Sequence, residues 1–158
     1  MTRTPVPPFE DFLQANRGVV YRFLSVAVGP NEADDAFQET FLAALRAYPR
    51  LEDGSKLGHW ILTIASRKAI DHHRATRRRP IPVPEMAEVA SQADDPRVGD
   101  DPLWTAVAAL PPRQRVAVVH RHVLDRPYAE IAEMMGSTED AARANVYQGT
   151  KRLRELMR

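Results

Sequence analysis

The sequence predicts an all-α protein of two small helical domains joined by a Pro-rich acidic linker, the second domain containing a helix-turn-helix. Three observations predict it. Apolar residues recur at spacings of three, four and seven, with no segment alternating at period two. Pro80, Pro82 and Pro84 forbid regular helix and open a polar, acidic stretch to Asp101 with too little apolar content to pack a core. Beyond it lies a helix pair punctuated by glycine. The expected boundaries are residues 9–79, linker 80–101 and residues 102–158. With 158 residues shared between two units, each has only a modest core.

The first helix begins at Phe9 and turns Phe12, Leu13, Val20, Phe23, Leu24 and Ala27 to one face before Gly29-Pro30 stops it. Asn31 is expected to cap the second helix, with Glu32, Asp34 and Asp35 in the first turn, where the helix dipole favours acids. Its inner face reads Ala33, Phe37, Phe41, Ala44 and Tyr48. Pro49 to Gly58 reads as a loop, followed by a third helix carrying Leu57, Trp60, Ile61, Ile64 and Ala65 inward and running to about Arg78.

In the second domain, Leu103 to Leu110 is a short apolar helix, and Pro111-Pro112 opens another lined by Val116, Val119 and Val123. Pro127 to Met135 forms the first arm of the helix-turn-helix, with proline expected at its first helical position. Gly136 ends that arm, Ser137 or Thr138 caps the next, and Glu139 to Met157 presents Ala142, Val146, Gly149, Leu153 and Leu156 inward.

The formal charge of +1 hides segregation. Arg67, Lys68, Arg74, Arg77, Arg78 and Arg79 form a basic block opposed only by Asp71, followed by Glu85, Glu88, Asp94, Asp95, Asp100 and Asp101 with only Arg97. The absence of cysteine removes disulfides and thiolate chemistry and fits a reducing compartment, so the cytoplasm is expected. Val26 to Val28 and Val116 to Val119 are too short to span a bilayer, and no membrane insertion is expected. An enzyme or metal protein would need a convergent set, and neither His72-His73 nor His120-x-His122 shares a helix face. No phosphate loop or nucleophile motif is present, so neither cofactor nor catalysis is expected.

Two surfaces have nucleic-acid chemistry. Away from its apolar stripe, the last helix presents Asp140, Arg143, Ala144, Tyr147, Gln148 and Lys151, a face able to enter a major groove. Arg143 suits guanine, Gln148 suits adenine, and Lys151, Arg152 and Arg154 suit phosphates. On spacing alone the pair is equally a helical hairpin with a solvated outer face. The third helix carries His59, Thr63, Arg67 and Arg74 opposite its core side, next to a loop from Leu51 to His59 that could capture an extruded base. The competing reading is a solvated helix end whose arginines complement the dipole, and Trp60 reads as core rather than as a stacking platform.

Three stretches resemble the extracytoplasmic-function group of sigma-70 family RNA polymerase sigma factors. Asp35-Ala-Phe-Gln-Glu-Thr-Phe-Leu-Ala-Ala-Leu resembles the family's second region, and Trp60-Ile-Leu-Thr-Ile-Ala-Ser-Arg-Lys-Ala-Ile-Asp-His-His-Arg its promoter-melting segment. Leu110-Pro-Pro-Arg-Gln-Arg, Tyr128-Ala-Glu-Ile-Ala-Glu-Met-Met-Gly and Lys151-Arg-Leu-Arg-Glu-Leu are similar to the fourth region. The resemblance covers roughly Phe9 to Arg158, in the family's order. It implies a factor that binds core RNA polymerase and directs promoter-specific initiation. Asp34, Asp35, Gln38 and Glu39 would dock on the clamp coiled coil of the largest subunit, and the fourth region on the flap. Lys56, His59, Trp60, Thr63, Arg67, Lys68 and Arg74 would meet minus-ten DNA. Arg143, Asn145, Tyr147, Gln148, Lys151, Arg152 and Arg154 would meet minus-thirty-five DNA. The linker would thread toward the RNA exit path, and an anti-sigma protein is implied as a partner. Asn145, Gln148 and Thr150 stand where the family usually has further cations, which motivates one rival, a degenerate sigma-like partner of polymerase or an anti-sigma protein; the other is a stand-alone helix-turn-helix regulator, which needs the helix pair but not the acidic helix bearing Gln38 and Glu39.

Overall fold

A computed structural model describes residues 3–78 and 102–158, with the backbone alone described at 73–78 and at Trp104. The expected linker and Arg79 lie outside the described residues, as do the side chains of Arg74, Arg77 and Arg78. Every described element is helical. The upstream half contains α1 (Phe9–Ala27), α2 (Pro30–Ala47), a 3₁₀ turn (Tyr48–Arg50) and α3 (Leu57–Arg78). The downstream half contains α4 (Pro102–Ala108), α5 (Pro112–Val118), a π turn (Val119–Val123), α6 (Tyr128–Met135) and α7 (Glu139–Leu156).

Three local expectations are corrected. Helix α2 starts at Pro30 rather than after Asn31, so only Glu32 is an acid of its first turn. Proline at the first helical position needs no N–H partner and has its φ preset, which removes the need for an asparagine cap. Pro127 is the residue before α6 rather than its first, with extended backbone at φ −69 and ψ 155. Leu156, the last residue of α7, is exposed instead of inward.

Aromatic packing organises the upstream core. The Phe12 ring is buried and lies 5.6 Å from Phe9, 5.3 Å from Tyr48, 5.7 Å from Trp60 and 6.1 Å from Phe41 between ring centres. It thus joins α1, α2, the 3₁₀ turn and α3 at one point.

The two halves do not keep separate cores. A single cluster of buried side chains runs from Phe12 and Ile61 through Ile70 and Val107 to Met134 and Val146. Helix α3 is the shared element, packing on α1 and α2 on one side and on α5 and α6 on the other. Polar ties reinforce the junction. The Arg115 guanidinium is buried and donates to the Ala27 carbonyl at 2.8 Å, the Leu110 carbonyl at 3.1 Å and the Ala108 carbonyl. It thereby places a cation at the negative end of α1.

His120, in the π turn, is fully buried and stacks on Phe23 of α1 with ring centres 4.6 Å apart. Its Nε2 lies 2.7 Å from Ser66 Oγ of α3. The Ser66 hydroxyl proton goes to the Leu62 carbonyl at 2.7 Å, so Nε2–H is the donor and Nδ1 is the bare nitrogen. Burial, with Arg126 and His59 adding repulsion, lowers the pKa of this imidazole to about 3.

Candidate nucleic-acid interface

The loop between the 3₁₀ turn and α3 shapes a groove of about 410 Å³. Leu51, Leu57 and Trp60 give it apolar walls, and Asp53, Ser55, Lys56 and Thr63 give it polar edges. That combination suits an unstacked base, which needs flat apolar contact on its faces and hydrogen bonds at its edge. Trp60 packs against Phe12 and also lines the groove.

Asp53 holds the loop. Its Oδ1 accepts from the Ser55 N–H at 3.0 Å and from the Thr4 N–H at 3.1 Å, while Oδ2 accepts from the Ser55 hydroxyl at 3.0 Å. These donors, the Ser55 backbone N–H first, hold the carboxyl below its ordinary value. An Asp-x-Ser step in a turn is a readable signal for such a side-chain turn, though the expected contacts did not include it.

Among the expected minus-ten residues, Lys56 and Arg67 are exposed and Thr63 and Lys68 half-buried along α3. His59 is engaged differently, its Nε2 lying 3.0 Å from the Glu133 carboxylate of α6. The packed arrangement of the halves therefore occupies one of the expected contacts.

The expected polymerase-docking residues lie together on α2, and all four are exposed. Asp34 accepts from the Tyr21 hydroxyl at 3.1 Å. Glu39 and Glu32 flank His72 of α3, at 3.1 Å from Nε2 and 3.2 Å from Nδ1, which ties α2 to α3. Leu42 and Leu45 extend this face with exposed apolar surface, 52% and 48% accessible, that helical periodicity alone did not single out.

The helix-turn-helix forms as α6, the turn Gly136-Ser137-Thr138 and α7. Gly136 takes a left-handed backbone with φ 62, the conformation that lets the chain reverse after Met135. Thr138 Oγ1 then accepts from the Ala141 N–H at 3.1 Å. Replacing Thr138 by alanine is expected to cost about 1 kcal/mol, read as a lower urea midpoint with an unchanged slope.

Arg143, Tyr147, Gln148, Lys151, Arg152 and Arg154 are exposed on α7, and Asn145 is half-buried. Arg143 donates to Glu139 at 2.8 Å and stands 5.0 Å over the Tyr128 ring, whose neighbourhood Arg121 also shares at 4.5 Å. An exposed pair of this kind contributes at most about 1 kcal/mol, so Arg143 is readily released to another acceptor. Tyr147, Lys151, Arg154 and Arg158 line a cationic groove of about 550 Å³, while Gln148 faces Gln114 of α5 at 3.4 Å. No described helix is long and apolar enough to cross a membrane.

Comparisons with known proteins converge on one family. Residues 9–79 match Sigma-70 region 2, and residues 100–153 match Sigma-70, region 4. The chain is 33% identical over 163 residues to the RNA polymerase sigma factor CarQ of Myxococcus xanthus, covering 94% of this chain and 88% of that one. It is also 33% identical over 141 residues to the ECF RNA polymerase sigma factor SigC of Mycobacterium tuberculosis, covering 87% and 76%. In fold it is similar to the sigma factor RpoE solved in complex with the anti-sigma factor NepR from Bartonella quintana, with a TM-score of 0.73, 19% identity, and coverage of 94% and 96%.

Proposed function

The chain belongs to the extracytoplasmic-function sigma factors of the sigma-70 family, and from that membership we infer how its surfaces divide the work of initiation. It is a non-enzymatic subunit that binds core RNA polymerase and directs it to promoter DNA. The observation that carries this function is the presence of both DNA-handling regions, in order, on one chain.

In our reading residues 9–79 form the docking and melting unit, 80–101 the linker and 102–158 the upstream-reading unit. Asp34, Asp35, Gln38 and Glu39 meet the polymerase clamp, and exposure of all four supports this. The groove beside Trp60 takes an extruded base of the minus-ten element, while Lys56, Thr63, Arg67, Lys68 and Arg74 hold the opened strand, with His59 joining once it leaves Glu133. In the minus-thirty-five major groove Arg143, Tyr147 and Gln148 face base edges with Asn145 at their border. Lys151, Arg152 and Arg154 take phosphates and make binding salt-dependent. The flap of the polymerase is the expected partner of the downstream unit. Regulation by an anti-sigma protein is supported by the solved relative that is held by one. A factor for transcription works in the cytoplasm.

The direct experiment mixes purified protein with core polymerase and genomic promoter fragments and maps transcripts. Specific initiation is the expected result. A folded sample that fails to bind polymerase would overturn the reading, and polymerase binding without promoter-directed transcripts would favour the degenerate partner. Asp35→Lys combined with Glu39→Lys is expected to weaken polymerase binding by more than about tenfold, because reversed charges at a complementary interface repel. Binding titrations against core polymerase check this, and an unchanged affinity removes the clamp assignment.

A further inference from the structure

The segment before α1 is built onto the loop that shapes the base-sized groove. Thr4 makes two hydrogen bonds to the loop through its own backbone: its N–H donates to Asp53 Oδ1 at 3.1 Å, and its carbonyl accepts from the Gly54 N–H at 2.9 Å. The contact is tight enough to dictate the residue at 54. A Cβ there would stand 2.3 Å from the Pro5 carbonyl oxygen and 3.2 Å from Val6 Cα, both backbone atoms that cannot swing aside. Farther along, the Tyr48 hydroxyl donates to the Pro7 carbonyl, tying the same segment to the start of the loop. Arg3 adds an exposed pair with Glu52 at 3.6 Å, which contributes little.

Pro5, Pro7 and Pro8 suit this task, since each has a preset φ and loses little freedom when the segment is laid down. The loop itself has few other supports. Among the described residues, between Leu51, whose N–H reaches the Tyr48 carbonyl at 3.1 Å, and Lys56, whose carbonyl accepts from Trp60 at 2.9 Å, the loop is held by the Ser55 bonds to Asp53, the Thr4 bonds and the exposed Arg3–Glu52 pair. Asp53 and Ser55 line the groove, so whatever fixes Asp53 sets the shape of the polar edge a base would meet.

We propose that residues Thr4 to Pro7 form a strap whose backbone bonds to Asp53 and Gly54 position the groove for one base, making the strap a specificity-determining element of minus-ten recognition. The strap touches no base itself; it acts through the loop. This rests on the assignment of the groove to an extruded minus-ten base. Because the decisive donor is a backbone N–H, the side chain of Thr4 is dispensable and the N–H is not.

Holoenzyme assembled with the wild-type chain is tested on non-template minus-ten oligonucleotides in which each position carries each of the four bases. A preference of roughly tenfold at one position is the scale of a single well-read base. Thr4→Pro, Gly54→Ala and deletion of residues 1–7 are expected to lower that preference toward onefold while polymerase affinity stays at the wild-type value. Thr4→Ala, which keeps the N–H, is expected to retain it. A general loss of fold would lower polymerase binding as well, so the split between affinity and base preference isolates positioning. Wild-type preference in Thr4→Pro and in the deletion overturns the strap alone. Absence of any base preference in the wild-type holoenzyme overturns the groove assignment and the strap with it.

Discussion

Phe12→Ala is expected to destabilise the chain by about 3–5 kcal/mol, the cost of removing a large buried ring whose neighbours cannot close the gap. The position has little room to relax. Four other rings meet Phe12 with centre separations between 5.3 and 6.1 Å, and they come from α1, α2, the 3₁₀ turn and α3. Offset aromatic pairs add to the area they bury, so several favourable contacts vanish together. Trp60 also loses the support that holds its face toward the groove. Urea titrations of wild type and variant measure the difference, and a loss below about 1 kcal/mol would show that the rings repack.

The second large effect is a pH dependence centred on His120. In the packed chain the imidazole has a pKa of about 3, whereas an unburied histidine has its ordinary value of 6.5. The unfolded or opened chain therefore binds a proton that the packed chain refuses, so the stabilisation is complete above pH 6.5 and is lost as pH falls toward 3. Between pH 6.5 and 4.5 the loss attributable to this residue is about 2 kcal/mol.

Burial acts first against the charged ring, and the neighbouring cations act the same way. Arg126 and His59 repel an imidazolium, while Phe23, stacked on one face, and Ser66, which accepts from Nε2, hold the ring in place. His120→Gln keeps a donor near Ser66 but cannot titrate. The variant should show a shallower fall in stability over this range, and parallel wild-type and variant curves would remove His120 as the cause. Carboxylates elsewhere affect both proteins alike and cancel in the comparison.

These features were unequally visible in the sequence. Helical periodicity located the helices because each buries one stripe, and Gly136 and Thr138 announced the turn through backbone chemistry specific to those residues. The union of the two cores was not legible. Ile70 and Val107 are apolar at helical spacing, but periodicity says only that a residue turns inward, not which helix it will meet. Ser66 and His120 look like polar interruptions of apolar stripes until the partner across the junction is known. The candidate DNA surfaces were recognised from basic residues and motif order, whereas the groove edge depends on Asp53 and on Thr4, forty-nine positions away in sequence. A contact made by a backbone N–H leaves no mark in residue type.

The shared core also limits where the packed chain can work. Elements at minus ten and minus thirty-five are separated by about 25 base pairs, or about 85 Å of duplex at about 3.4 Å per pair. A compact chain of 158 residues has a radius of gyration of only about 15 Å. On the proposed division of the surfaces, reading both elements at once would part the junction at α3 and carry Ser66 away from His120 and His59 away from Glu133. Packed and parted forms then compete, and apparent affinity for promoter-bound polymerase is the intrinsic value scaled by the parted fraction. A one-per-cent parted population imposes about a hundredfold threshold. Substitutions that loosen the junction without touching either DNA surface would lower that threshold, and the factor would respond at lower concentration.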